Sequence, residues 1–117
     1  MHPFDVLGDP VRRRILDELI AGERTAGELA AAATAEFGIT QPAVSRQLRI
    51  LRDESFVAVR PDGTRRFYAL AAEGLGAADS ALAAYRPAWR QRLDALHTEV
   101  ARGKRARAVD QSREKAS

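Results

Sequence analysis

Cysteine is absent from the 117 residues, which removes disulfide scaffolds, thiolate zinc sites, iron–sulfur clusters and cysteine nucleophiles together. Aromatics are scarce, at 6% of the chain, with a single Trp. No apolar run approaches the roughly 20 residues that cross a bilayer. The opening MHPFDVLGDPVRRR is broken by acids and prolines, unlike a secretory leader. These absences point to a soluble, cytosolic protein with no membrane partner. What remains is 45% hydrophobic and 30% charged, with a net charge of +3, enough for one self-sufficient core and a mild lean towards nucleic acid. The ending RGKRARAVDQSREKAS loses nearly all large apolar residues, so we divide the chain into a folded domain, 1–101, and a basic, disordered tail, 102–117.

Asp9-Pro10 is an acidic N-cap with Pro at the first helical position, and Val11, Ile15, Leu16, Leu19 and Ile20 follow as an apolar stripe ending near Gly22. Before it, residues 3–7 fit a short extra turn that packs Phe4 and Leu7. Thr25 and Glu28 form a capping-box pattern ahead of an Ala-rich helix that Gly38 stops. Thr40 then caps a helix with Pro42 in its first turn and Val44, Leu48 and Leu51 on one face, running to about Glu54. Two β-rich runs, 56–60 and 65–70, flank a Pro61-Asp62-Gly63-Thr64 turn and read as a hairpin. A last apolar pattern, Leu75, Ala78, Leu82, Tyr85, Trp89, Leu93, Leu96 and Val100, runs for about 25 residues at near-heptad spacing. One small domain cannot cover so long a stripe, so the same helix of a second chain is favoured over folding back on its own core. Pro87 should kink or restart this helix near Arg86.

Only residues 38–40 separate two helices, which is helix-turn-helix spacing, and the charged hairpin behind them takes the place of a wing. At 100° per residue, the side of the second helix opposite Val44, Leu48 and Leu51 carries Pro42, Ser45, Arg46, Arg49 and Asp53. Small polar side chains let a backbone approach the major groove, and Arg forks onto guanine or phosphate. Gln41 at the helix start can reach adenine edges or phosphate; Gln47 lies at the margin of the apolar face. A merely solvated helix face is the bland alternative. Against it, residues 41–66 hold six arginines and three acids, an excess equal to that of the whole chain. We therefore select Thr40, Gln41, Pro42, Ser45, Arg46, Gln47, Arg49, Arg60, Gly63, Thr64, Arg65 and Arg66 as the DNA-binding set. Phe4, Leu75, Leu82, Tyr85, Trp89, Leu93 and Leu96 form the dimer set. Arg12, Arg13 and Arg14 could touch phosphate, pair with Asp17 and Glu18, or stay solvated, and the last is favoured.

The runs FDVLGDPVRRRILDELIAGERTAGELA and ITQPAVSRQLRILRDESFVAVRPDGTRRFYAL resemble the ArsR/SmtB family of bacterial winged-helix repressors over nearly the whole folded part. LGDPVRRRILDEL, residues 41–48 (QPAVSRQL) and residues 63–68 (GTRRFY) are the most specific pieces; 85–96, YRPAWRQRLDAL, is similar to a subset with this Tyr and Trp in its last helix. The resemblance implies a homodimer, joined through its first and last helices, that binds a palindromic operator on double-stranded DNA and usually regulates its own gene. The family often has His where this chain has Gln47, and residues 30–38 are a few longer than usual. Family metal sensors use Cys thiolates, absent here, or Asp and His on the last helix, where Asp79 has no His at 81 and the later positions include Arg92 and Ala95. His97 near Asp94 and Glu99 reads better as an exposed or dimer-packing side chain than as half a metal site.

The expected fold is mainly α (α+β): a winged helix-turn-helix with five helices and one β-hairpin wing, dimeric through its terminal helices. The expected function is a homodimeric, autoregulatory repressor with no metal and no cofactor, open to a small-molecule effector near Trp89 and Tyr85. A winged-helix protein-interaction module without DNA binding is the alternative, but it should have lost Arg46 and Arg49. An enzyme is not expected, because no phosphate-binding loop, metal-protease or nucleophile-elbow motif occurs.

Overall fold

The computed structural model describes residues 1–116, with side chains to residue 105. Contacts divide the chain into two compact units, Met1–Ala81 and Leu82 onward.

In the first unit, α1 (Pro3–Leu7) buries Val6, whereas Phe4 remains 37% exposed. Helix α2 (Pro10–Leu19) begins as read: Asp9 accepts from the backbone N–H groups of Val11 and Arg12, at 2.8 and 3.1 Å. It ends at Leu19, earlier than Gly22, so Ile20 leaves the stripe and lies 72% exposed. Helix α3 (Ala26–Phe37) carries the reciprocal Thr25–Glu28 capping box and stops at Gly38, whose φ of 66° an L side chain rarely adopts. Helix α4 (Gln41–Asp53) is capped by Thr40 and buries Val44, Leu48 and Leu51. These three meet Ile15, Leu19, Leu29 and Phe56 in one core, where each large side chain contributes about 1.5–3 kcal/mol.

The sheet has three antiparallel strands in the order β1-β3-β2, formed by Arg24–Thr25, Arg65–Leu70 and Val57–Asp62 respectively. The expected four-residue turn is tighter. Pro61 and Asp62 belong to β2, opposite Arg66 and Arg65, and only Gly63 and Thr64 turn, with Gly63 at φ 63°. Proline is tolerated there because β2 is an edge strand whose outer N–H positions need no partner. The two-residue β1 was not anticipated, being too short to show an alternation.

Helix α5 (Ala72–Ala83) docks through Gly74, whose N–H donates to the Ser55 carbonyl at 2.8 Å. The chain reaches that point by turning at Ser55, which takes a left-handed φ of 61°. Helix α6 (Arg86–Ala116) starts where Pro87 was expected to restart the pattern, so among the described residues six helices replace the expected five. Its helical backbone continues through residues 102–116, the stretch read as a tail, where Ala, Arg, Lys, Glu and Gln are good helix formers. Among the described residues, no helix is long and apolar enough to cross a membrane.

Candidate nucleic-acid interface

Burial of Val44, Leu48 and Leu51 fixes the rotation of α4 and leaves Gln41, Pro42, Ser45, Arg46 and Arg49 exposed on its other side. These five line one concavity of about 500 Å³. A second, of about 250 Å³, joins α4 to the hairpin: Ser45, Leu48, Arg49 and Arg52 on one side face Arg66 and Tyr68 on the other, with Ala26 at the start of α3. Beyond it, Thr64, Arg65 and Arg66 meet the first turn of α3 at Thr25–Glu28. Arg46, Arg49, Arg52, Arg65 and Arg66 have no ion pair among the described residues. The α4 face and the hairpin tip thus form one surface with available guanidinium groups, suited to phosphate oxygens and the acceptor edges of guanine.

Three members of the expected DNA-binding set are already engaged within the fold. Arg60 pairs with Glu23, Nη2 to Oε2 at 2.8 Å and Nε to Oε1 at 3.3 Å, and its guanidinium lies 4.8 Å from the centroid of Phe67, its cross-strand neighbour. The hydrogen bond from Arg60 holds the Glu23 carboxyl below the usual carboxylate range. Gln47 is half-buried, and its Oε1 accepts from Arg12 Nη1 at 2.8 Å. Thr40 spends its hydroxyl on capping, accepting from Ala43 N–H at 3.3 Å.

The favoured solvated reading of Arg12–Arg14 is corrected. Arg12 is 8% exposed and donates to the carbonyls of Val6 and Asp5 as well as to Gln47, each at 2.8 Å. Arg13 donates to the Leu7 carbonyl, and Arg14 pairs with Glu18 and Glu36. The sequence did carry a signal for Arg12, since it stands three, four and seven residues before Ile15, Leu16 and Leu19, on the buried face.

The second unit is an exposed helix surface. Leu82, Tyr85, Trp89, Leu93, Leu96 and Val100 are all exposed, Trp89 by 64%, and Leu82, Tyr85, Arg86 and Trp89 line a mainly apolar concavity of about 250 Å³. Leu75, placed in the same dimer set, instead packs half-buried against the core of the first unit. Among the described residues, no three His, Asp or Glu side chains cluster as metal ligands.

A helix-turn-helix backed by a cationic β-hairpin defines a winged helix-turn-helix protein, and comparison with known proteins narrows the class. A helix-turn-helix domain model matches residues 7–60. The transcriptional repressor SdpR of Bacillus subtilis is 36% identical over 67 residues, 57% of this chain and 70% of its own. The crystal structure of a "possible transcriptional regulator for arsenical resistance" superimposes with a TM-score of 0.64 at 32% identity, covering 73% of this chain and 84% of that one. The solution structure of the homodimeric winged helix-turn-helix DNA-binding domain of Mb0332 from Mycobacterium bovis, a possible ArsR-family regulator, gives 0.54 at 28%, covering 71% and 75%. This chain belongs to the ArsR/SmtB family of transcriptional regulators. It spans between 48% and 70% of the length of the curated relatives it matches.

Proposed function

We propose that this chain is a homodimeric, sequence-specific DNA-binding repressor that reads the major groove with α4 and an adjacent groove or its phosphates with the β2–β3 wing. The observation that carries the reading is the continuity of Ser45, Arg49 and Arg52 on α4 with Arg66 on the wing, around one concavity. In this reading Ser45, Arg46 and Arg49 address base edges. Gln41, Thr40 and Pro42 bring the amino end of α4 to the duplex, and Gly63, Thr64, Arg65 and Arg66 carry the wing to phosphates. The alternative, a protein-interaction module without DNA binding, is not favoured by the relatives of this chain, among them a transcriptional repressor and a winged helix-turn-helix DNA-binding domain.

Dimerisation is supported by the exposed apolar stripe of α6 and by the homodimeric Mycobacterium bovis neighbour. A two-fold dimer presents two α4 helices, so its operator is palindromic, and a site beside its own gene would make it autoregulatory. The test is a salt titration on duplex DNA from that promoter. Neutralising about 6–10 phosphates gives a log–log slope near −0.9 per contact, and a flat response would overturn the proposal.

A further inference from the structure

Arg12 ties together three parts of the first unit. Its Nε takes the carbonyl of Val6 and its Nη2 that of Asp5, which also accepts from the Gly8 N–H at 3.3 Å, both at the carboxyl end of α1, and its Nη1 takes the Oε1 of Gln47 on α4. Gln47 follows Arg46 directly and precedes the buried Leu48, at the edge between the core face of α4 and its cationic face. A guanidinium has donors only, so the amide of Gln47 is turned with its oxygen towards Arg12. An adenine edge is read by a glutamine that uses both oxygen and nitrogen, and here the oxygen is already committed.

We infer that Arg12 is a positioning residue for DNA readout. It acts through Gln47 to hold the rotation of α4, and Gln47 serves as the acceptor in that contact and not as a reader of bases. This rests on the DNA-binding reading above. Arg12 itself is 8% exposed, and its guanidinium is spent on Val6, Asp5 and Gln47. The core residues Val44, Leu48 and Leu51 are aliphatic and constrain α4 by shape alone. The Arg12–Gln47 bond adds a directional contact at the margin of the reading face, and the fork that makes it is fixed by the α1 carbonyls.

The experiment enriches a randomised duplex DNA library on the wild-type chain, then measures binding of the enriched duplex and of a scrambled duplex to each variant. Gln47→Glu keeps an acceptor for Arg12 but loses the amide N–H groups. The expected result is an unchanged enriched motif and an enriched-to-scrambled affinity ratio within about twofold of wild type, since added negative charge weakens both duplexes alike. Gln47→Leu, which keeps the fold by placing an apolar side chain at a half-buried site, should lower the ratio about tenfold. Arg12→Met should lower it equally in the wild-type background and not at all beside Gln47→Leu. Should Arg12→Met fail to fold, the two Gln47 variants decide alone, with thermal melting recorded for each. A ratio that falls as far with Gln47→Glu as with Gln47→Leu, or that is unmoved by Gln47→Leu, overturns the inference while leaving DNA binding intact. If wild type enriches no sequence, the DNA-binding reading fails, and this inference with it.

Discussion

Arg60 on the wing is held by Glu23, 37 residues earlier, through both carboxylate oxygens. The partner sits in the connection between α2 and β1, so this arginine of the wing is neutralised before any duplex arrives. Arg65 and Arg66 on the neighbouring strand form no such pair among the described residues. Under the proposed function, Glu23→Gln should therefore tighten binding to any duplex by about two- to fivefold at low salt, with the gain fading as salt screens it. Fluorescence anisotropy at two ionic strengths measures this. Correspondingly, Arg60→Ala should cost less affinity than Arg66→Ala; the reverse order would mean that Glu23 yields Arg60 to the duplex without loss.

The carboxyls of Glu23 and Glu28 are both held below the usual glutamate value of 4.5, the first by the hydrogen bond from Arg60 and the second by bonds from Thr25. A carboxyl that is more acidic folded than unfolded stabilises the fold fully above 4.5, and that contribution drains away as pH falls through the lowered values. The melting temperature of the chain should thus be insensitive to these groups near pH 7 and decline below about pH 4.5. Both side chains are exposed, so the effect is small. Circular dichroism melts of a Glu23→Gln/Glu28→Gln variant should show a shallower acid decline than wild type, and identical pH profiles would contradict the assignment.

Gly74 and Gly76 share α5 but not their surroundings. A Cβ at Gly74 would stand 2.5 Å from Phe56 Cδ2 and 2.7 Å from the Ser55 carbonyl oxygen, whereas one at Gly76 meets nothing within 4 Å. Gly74→Ala should destabilise the fold by about 1–3 kcal/mol, because Phe56 is fully packed and the carbonyl is backbone. Gly76→Ala should be stabilising by about 0.5–1 kcal/mol through helix propensity alone. Urea denaturation distinguishes them, and equal effects would mean that α5 is not docked on the Ser55–Phe56 turn.

Local chemistry made much of this structure legible in the sequence. Asp9-Pro10, the Thr25–Glu28 box and Thr40 start helices where their side chains can satisfy nearby N–H groups, and Val44, Leu48 and Leu51 form the core face at helical spacing. What escaped depends on partners distant in the chain. Arg12 looks solvated in a run of three arginines until Gln47, 35 residues away, is seen to receive it. Arg60 looks available until Glu23 is placed beside it. Pro61-Asp62 resembles a turn because the sequence does not say that β2 is an edge strand, where a proline can be accommodated. The cationic face of α4 was readable because it needs no partner within the chain.

Trp89 and Leu93 stand four residues apart on α6, both exposed, in a stripe that a soluble chain does not ordinarily leave uncovered. If a second copy covers it, Trp89→Arg and Leu93→Glu each replace an apolar contact by a charge that must be desolvated, at a cost of several kcal/mol per dimer. Both variants should sediment as monomers at concentrations where wild type is dimeric. Each monomer would retain one α4 and lose the second half-site, so affinity for a two-half-site duplex should fall by at least about a hundredfold while that for a single half-site stays the same. Far-ultraviolet circular dichroism should be nearly unchanged, because the core of Met1–Ala81 contains neither residue. Dimers that persist with either charge in place would locate the interface elsewhere and leave the α6 stripe to another partner.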